Sequence, residues 1–136
     1  RANGCLDDLP ERVASAIRTG RGLLEEAPDA YGRTWDARRR TIRRQQSLFA
    51  DVDVLAMPTT PMPAPERGAV PGEGGPTILD TVHNTAPFNT TGAPAVTVPC
   101  GEIGGCPVGL QLVAPAGADG FLLRVARSVE RALTEQ

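Results

Sequence analysis

The chain has 136 residues, of which 40% are apolar and 22% are charged, and its formal net charge is −2. That length suits one domain rather than two, and the composition predicts a packed core and excludes wholesale disorder. The small negative charge argues against a protein built mainly to hold nucleic acid or acidic membranes, and no apolar run approaches the roughly 18 residues that would span a bilayer. No signal peptide opens the chain, and Arg1 in place of Met suggests a processed or excised piece.

Residue usage limits the available chemistry further. All 14 basic residues are arginine, so no mechanism within this chain can use a lysine base, a P-loop lysine or a Schiff base. The three cysteines, Cys5, Cys100 and Cys106, form an odd set, whereas a secreted disulfide scaffold usually carries a larger, even number. We therefore expect a cytoplasmic location, where thiols stay reduced.

Residues 1–50 predict a helical lead-in with two helices. Asp8 and Pro10 suit the start of the first helix, which reaches about residue 27. The second helix is predicted from Pro28 to Ala50. Its apolar seam consists of Tyr31, Trp35, Ile42 and Phe49, and its opposite side carries Arg33, Arg38, Arg39, Arg40, Arg43 and Arg44.

The rest of the chain alternates strands, loops and helices. A β-branched run predicts a strand over 51–57, and a Pro- and Gly-rich loop follows over 58–76. A short helix capped by Thr77, with Asp80 in its first turn, and an ordered loop are expected over 77–94. A β-hairpin over 95–114 and a carboxy-terminal helix over 119–134 complete one segment, 1–136. This order predicts an α/β layer with about three strands and flanking helices.

The arginine face of the second helix and the cysteines favour plain structural interpretations. Nearby acidic residues offset the arginines, and no aromatic side chain joins them for base stacking, so we expect no nucleic-acid partner. Cys100, Cys106 and His83 could supply metal ligands, but the tight C-x₂-C pair typical of zinc sites is absent. We expect no metal, no cofactor and buried free thiols.

The single histidine invites a catalytic interpretation. His83 with Asp80 and Asp119 could complete a serine triad, but all three serines fall in predicted helices and none lies in a G-x-S-x-G turn. A nucleophile pair of Cys100 or Cys106 with His83 stays open as a weaker alternative. Composition and spacing alone thus give an α/β segment without a complete active site.

Five stretches of the chain resemble motifs of amidase signature enzymes. Residues 49–61 (F-A-D-V-D-V-L-A-M-P-T-T-P) are similar to that family's F-x-D-V-D-V-L-x-x-P-T-T-P run. Residues 84–95 (N-T-A-P-F-N-T-T-G-A-P-A) resemble its N-T-x-P-F-N-x-T-G-x-P-A. Residues 98–101 (V-P-C-G) and 107–113 (P-V-G-L-Q-L-V) match its hairpin, and 121–126 (F-L-L-R-V-A) its final helix.

The resemblance implies the carboxy-terminal part of the amidase-signature mixed-sheet α/β/α fold. In that family a Ser-cis-Ser-Lys set, which lies in the preceding part of longer chains, attacks a small amide without a metal. This chain has no lysine and no adjacent serine pair, so the resemblance implies that it is inactive alone. The partners it implies are the amino-terminal part of an amidase or a second copy of the chain.

The resemblance also implies that residues 84–92 form a wall of the substrate pocket. Phe88 would then supply apolar surface, and Asn89 would either receive a polar group of the substrate or tie the loop backbone down. Asp80 and His83 are further candidates for this pocket. Two other interpretations stay open: a free-standing truncated relative that acts as a binding or interaction module, and a small enzyme with new chemistry on a cysteine or on His83.

Overall fold

The computed structural model describes residues 6, 8–66 and 77–135. Cys5 and the second half of the predicted Pro- and Gly-rich loop lie outside these residues. The chain divides into two compact units, Arg1–Arg40 and Thr41–Gln136. The elements in chain order are α1 (Glu11–Glu26), α2 (Ala30–Leu48), β1 (Leu55–Pro58), α3 (Ile78–Thr81), α4 (Ala86–Thr91), β2 (Ala95–Ile103), β3 (Cys106–Val113) and α5 (Asp119–Thr134).

The first helix begins directly after Pro10. This proline occupies the N-cap position, and no side chain caps the helix, so the predicted cap by Asp8 is not formed. Pro10 still suits this place because proline has no N–H to leave unpaired at a helix start. An ion pair of 2.9 Å between Arg18 and Glu11 links two successive turns, and Ala14 is buried.

The second helix differs from its predicted amphipathic pattern. It buries no residue fully, and Tyr31 and Trp35 at its amino-terminal end are 63% and 41% exposed. Ile42 and Phe49, at the other end of the expected seam, are half-buried. The seven-residue spacing therefore predicts the helix correctly, but the aromatic part of the predicted seam is not an internal surface.

The three strands form one antiparallel sheet in the order β1-β3-β2. Strands β2 and β3 make a hairpin that starts with the pair Ala95 and Val113 and closes at Ile103 and Cys106. The two-residue turn consists of Gly104 and Gly105, with φ angles of 60° and 77°. Both lie in the left-handed region, where glycine is free of Cβ strain, and such turns match the twist of a hairpin.

Strand β1 is shorter than the strand predicted over 51–57. It begins at Leu55, because its partner strand β3 ends at Val113, the residue paired with Leu55. Residues upstream of Leu55 have no strand to pair with, and aspartate at 51 and 53 is unfavourable in strands. Val54 instead packs its side chain against the core.

The segment 84–94, expected as loop, contains the helix α4. Pro87 occupies its first turn, and Gly92 ends it in the left-handed conformation with φ of 77°. Proline just inside a helix and glycine just beyond it are the preferred residues at these two places. The sequence thus carried a helix signal that its Thr- and Asn-rich composition concealed.

Helix α5 covers one face of the sheet. Leu122 and Ala126, one turn apart, pack against Val98, Leu112 and Ala114 to form the core of this unit. Since side chains alternate along a strand, Gly109, Gln111 and Val113 face the other side. There Gln111 donates a hydrogen bond to the connection between α3 and α4. Helical segments therefore lie on both faces of the sheet.

A membrane-spanning helix must be both long and apolar. Within residues 6, 8–66 and 77–135, no helix combines the length and the apolar character needed to cross a bilayer.

Candidate functional site

The short helix α3 and its first residues hold Asp80 in place. Thr77 donates to the Asp80 carboxylate from its hydroxyl at 2.6 Å and from its backbone N–H at 2.7 Å, and its Oγ1 accepts from the Asp80 N–H at 3.3 Å. This reciprocal arrangement is a capping box. The Thr77 hydroxyl, then its N–H, and to a smaller extent His83 lower the pKa of Asp80 below its ordinary value. Asp80 therefore stays ionised and is already committed to Thr77.

His83 and Phe88 line different cavities. His83 is exposed and borders an open depression of about 450 Å³ with Leu79, Val82 and Thr90. Phe88 is half-buried and borders a cavity of about 360 Å³, whose walls come from the end of α2, from β1 and from α4. The apolar lining of this second cavity consists mainly of Leu48, Leu55, Met57, Pro87 and Phe88.

The four predicted site residues therefore do not converge on one point. Asp80 and His83 are near enough for their charges to interact, whereas Phe88 faces a separate apolar cavity. Asn89 is exposed on α4 and lines neither cavity. Such an arrangement offers a surface that can contact a substrate, but it does not bring a nucleophile and a base together.

Two residues that the sequence analysis did not single out fix this region to the sheet. The side chain of Asn84 donates to the carbonyl of Pro58 at 2.9 Å, and Gln111 donates to the backbone carbonyl of Asn84 at 3.1 Å. The only local signal for Gln111 was a polar residue in the middle of an apolar strand.

The hydroxyl and thiol groups elsewhere supply no second centre. Ser47 and Ser128 donate to Arg44 and Arg124 carbonyls on their own helices. Cys100 is a free, exposed thiol whose Sγ lies 3.6 Å from the Val108 carbonyl, so its expected burial is wrong. The sheet register shifts between Pro99 and Gly101, which leaves Cys100 on the outer strand. In the part of the chain that the structure describes, no three His, Cys, Asp or Glu side chains gather as metal ligands.

Comparison with known proteins identifies the family. The family model described as Amidase matches residues 6–123, which is most of the chain. The chain belongs to the amidase signature family. The match includes all four candidate residues as well as Asn84 and Gln111, so the α3–α4 segment and the hairpin are parts of an amidase fold.

Individual relatives give the same result. One subunit of the glutamyl-tRNA(Gln) amidotransferase of Thermus thermophilus is 45% identical over 104 residues, which cover 75% of this chain and 21% of that protein. Among solved structures, an amidase has 30% identity and a TM-score of 0.74, with 92% of this chain and 29% of that one covered. The corresponding subunit of the Thermotoga maritima glutamyl-tRNA(Gln) amidotransferase has 29% identity and a TM-score of 0.72, with 89% and 27% covered.

These matches also define what part of an amidase is present. The chain spans about a fifth of the length of the curated relatives that it matches, and it corresponds to their carboxy-terminal part.

Proposed function

We propose that this chain is the structural and substrate-pocket segment of an amide hydrolase whose catalytic residues lie outside it. The observation that carries this proposal is the family match over residues 6–123 in a chain that contains no lysine and no adjacent serine pair. A serine–lysine mechanism needs both groups within hydrogen-bond reach of each other. On this proposal the isolated chain hydrolyses no amide.

In the complete enzyme, the proposed reaction is acyl transfer through serine. The serine oxygen forms a bond to the amide carbonyl carbon, the carbon–nitrogen bond breaks, and ammonia or an amine leaves with a proton. Water then hydrolyses the acyl-enzyme. No step of this sequence needs a metal or another cofactor, and the substrate class is a small amide.

The α3–α4 segment is the part of this chain that we assign to the substrate pocket. Phe88 offers an apolar surface beside a cavity of about 360 Å³, and the exposed amide of Asn89 can both donate and accept hydrogen bonds. Asp80 and His83 lie farther along the same segment and provide charge at its edge. The partner that completes the pocket is the amino-terminal part of an amidase.

A chimaera tests the proposal directly. In it, this chain replaces the matching carboxy-terminal segment of the Thermus thermophilus relative, and ammonia release from small amides and labelling by a serine-directed fluorophosphonate are measured. We expect both signals from the chimaera and neither from the isolated chain. Labelling with turnover by the pure isolated chain would contradict the proposal, as would a folded chimaera that is inactive.

A pair of phenylalanine variants tests the assigned pocket residue. Phe88→Ala in the chimaera should raise KM for an apolar amide about tenfold, because the lost contact area corresponds to roughly one to two kcal/mol. Phe121→Ala is the matched control, since Phe121 is exposed on α5, away from the α3–α4 segment. Equal effects of the two substitutions would remove Phe88 from the pocket.

The cellular location belongs to the same proposal. We place the protein in the cytoplasm, because Cys100 and Cys106 are free thiols, which a reducing compartment preserves.

A further inference from the structure

Gln111 is a buried amide in the central strand of the sheet. It is 3% exposed, and among the described residues it is the polar side chain that the protein buries most completely. Its Nε2 donates to the backbone carbonyl of Asn84, which lies between α3 and α4. A buried amide is retained at such a place only when its hydrogen bonds are made, so this bond is a condition for packing the connection onto β3.

Asn84 extends the contact to a second strand. Its side-chain Nδ2 donates to the carbonyl of Pro58, the last residue of β1. One residue therefore joins the connection to the central strand through its backbone and to the edge strand through its side chain. Both bonds reach 26 or 27 residues along the chain, so they are tertiary links and not part of a local turn.

We propose that Asn84 and Gln111 form a clasp that positions the α3–α4 segment on the sheet and thereby places Phe88 and Asn89. This inference rests on the proposed function, because it makes Asn84 and Gln111 positioning residues for the proposed substrate pocket. Neither residue touches the reacting atoms. Each sets the place of the helix that starts two residues after Asn84.

The chemistry of the clasp explains why both residues are amides. Each must donate a hydrogen bond to a carbonyl oxygen, and a carboxylate of the same size can only accept one. A carboxylate at either position would therefore repel the carbonyl that it faces. Once protonated, however, a carboxyl group regains a donor of almost the same geometry.

The sheet does not depend on the clasp for its main packing. The core of Val98, Leu112, Ala114, Leu122 and Ala126 lies on the other face, against α5. Opening the clasp should therefore release the α3–α4 segment while the hairpin and α5 remain folded, a local opening of the kind that hydrogen exchange detects.

The test is Gln111→Glu, followed by amide hydrogen exchange as a function of pH and corrected for intrinsic exchange rates. Near neutral pH, the amides of Ala86 and Gly92, which close the turns of α4, should exchange about tenfold faster or more than in the unchanged chain. The amides between β2 and β3 should keep their protection. On acidification, protection of α4 should return, with a midpoint above the ordinary glutamate pKa of about 4.3 because the site is buried.

Matched variants separate the clasp from a general loss of stability. Gln46→Glu places the same charge change on an exposed residue of α2 and should leave α4 protection unchanged. Asn84→Asp should reproduce the pH-reversible loss, whereas Asn89→Asp, in the same segment but exposed, should not. Because Asn84 is only half-buried, its variant keeps the test valid if Gln111→Glu does not fold.

Two results would overturn the proposal. One is unchanged protection of α4 in the folded variants at both clasp positions. The other is a uniform loss over hairpin and α4 without recovery in acid. Neither measurement uses an amide substrate, so failure of the clasp and failure of the proposed function are distinguishable.

Discussion

Gly109, in the central strand, lies between two threonine side chains. The hydroxyls of Thr59 and Thr97 are 3.1 Å apart, and a Cβ added to Gly109 would collide with Thr97 Cγ2 and come within 3.0 Å of Thr59 Oγ1. Both threonines lie on strands or strand ends that are hydrogen-bonded to β3, so neither can move far. Glycine is required here by close approach and not by an unusual backbone angle.

Gly109→Ala should therefore destabilise the protein by about 1–3 kcal/mol, the usual cost of overpacking. The midpoint of urea unfolding measures this change. Gly120→Ala, in the first turn of α5, is the control, because the nearest atom to its added Cβ is Arg124 Nη1 at 3.8 Å and alanine favours helix. A Gly109→Ala midpoint equal to that of the unchanged chain would show that the threonines yield.

Asp80 gives a prediction about pH. Its pKa is lowered chiefly by the Thr77 hydroxyl, so Thr77→Val should raise the pKa of Asp80 toward 3.8, as measured by NMR titration. A lowered pKa stabilises the fold above the ordinary value, and that stabilisation is lost as the pH falls through the folded-state pKa. Thr77→Val should therefore weaken the acid dependence of α3. Thr134→Val, at the end of α5, should leave the titration unchanged; an equal shift in both variants would contradict the assigned cause.

The residue-scale contacts differ in how far the sequence predicts them. The contact of Thr77 with Asp80 spans three residues, so the cap preference of threonine and the position of the aspartate were enough to expect it. The bond between Gln111 and Asn84 depends on which strand face meets which connection. That choice is made by tertiary packing, and local spacing contains no information about it.

At the scale of elements, α5 is the helix that the sheet depends on. Leu122 is 2% exposed and belongs to the core, whereas its neighbour Leu123 is 61% exposed. Leu122→Ala should cost about 2–5 kcal/mol, since it removes buried methyl groups and leaves a cavity. Leu123→Ala, which removes the same atoms from solvent, should change the free energy of unfolding by less than about 0.5 kcal/mol. Comparable losses in calorimetry would mean that α5 packs through a different face.

Helix α2 carries the arginine face, which we expect to be inert toward nucleic acid. Arg33 pairs with Asp29, Arg39 lies 3.9 Å from Asp36, and the Arg38 guanidinium stacks 5.1 Å from the Trp35 ring centre. Much of the charge is thus offset, and the ring that could stack on a base already contacts an arginine. Fluorescence anisotropy at physiological salt should show no micromolar binding of DNA or RNA. Micromolar binding that disappears when Arg39, Arg40 and Arg43 become alanine would contradict this prediction.

Element boundaries show where sequence patterns stop being sufficient. The carboxy-terminal helix has a strong apolar repeat and is observed at Asp119–Thr134. Strand β1 begins four residues later than its β-branched run because pairing with β3 decides where a strand starts. Helix α4 is short enough that its threonines and asparagines favour a loop by composition, although Pro87 and Gly92 mark its two ends.

For the whole molecule, motif order was more informative than physical pattern. The blocks between residues 49 and 126 predicted the amidase signature family, and the family match over 6–123 confirms it. Periodicity and charge alone led only to an α/β segment, because the groups that would define a reaction are not among these residues. A pocket wall has no chemical signature of its own until the catalytic groups that face it are present.

The open edges of the sheet should make the isolated chain self-associate. In the order β1-β3-β2, both outer strands have one open edge, and β2 carries a single charge, Glu102, along nine residues. Long uncharged edges pair readily with other strands, and exposed apolar side chains such as Ile103 and Leu123, each at least 60% exposed, add to the tendency. We expect sedimentation velocity at micromolar concentration to show dimers or larger species. Ile103→Lys should shift the population toward monomer, because a charged edge blocks pairing, whereas Val52→Lys, outside the sheet, should not. A compact monomer of the unchanged chain would refute this prediction.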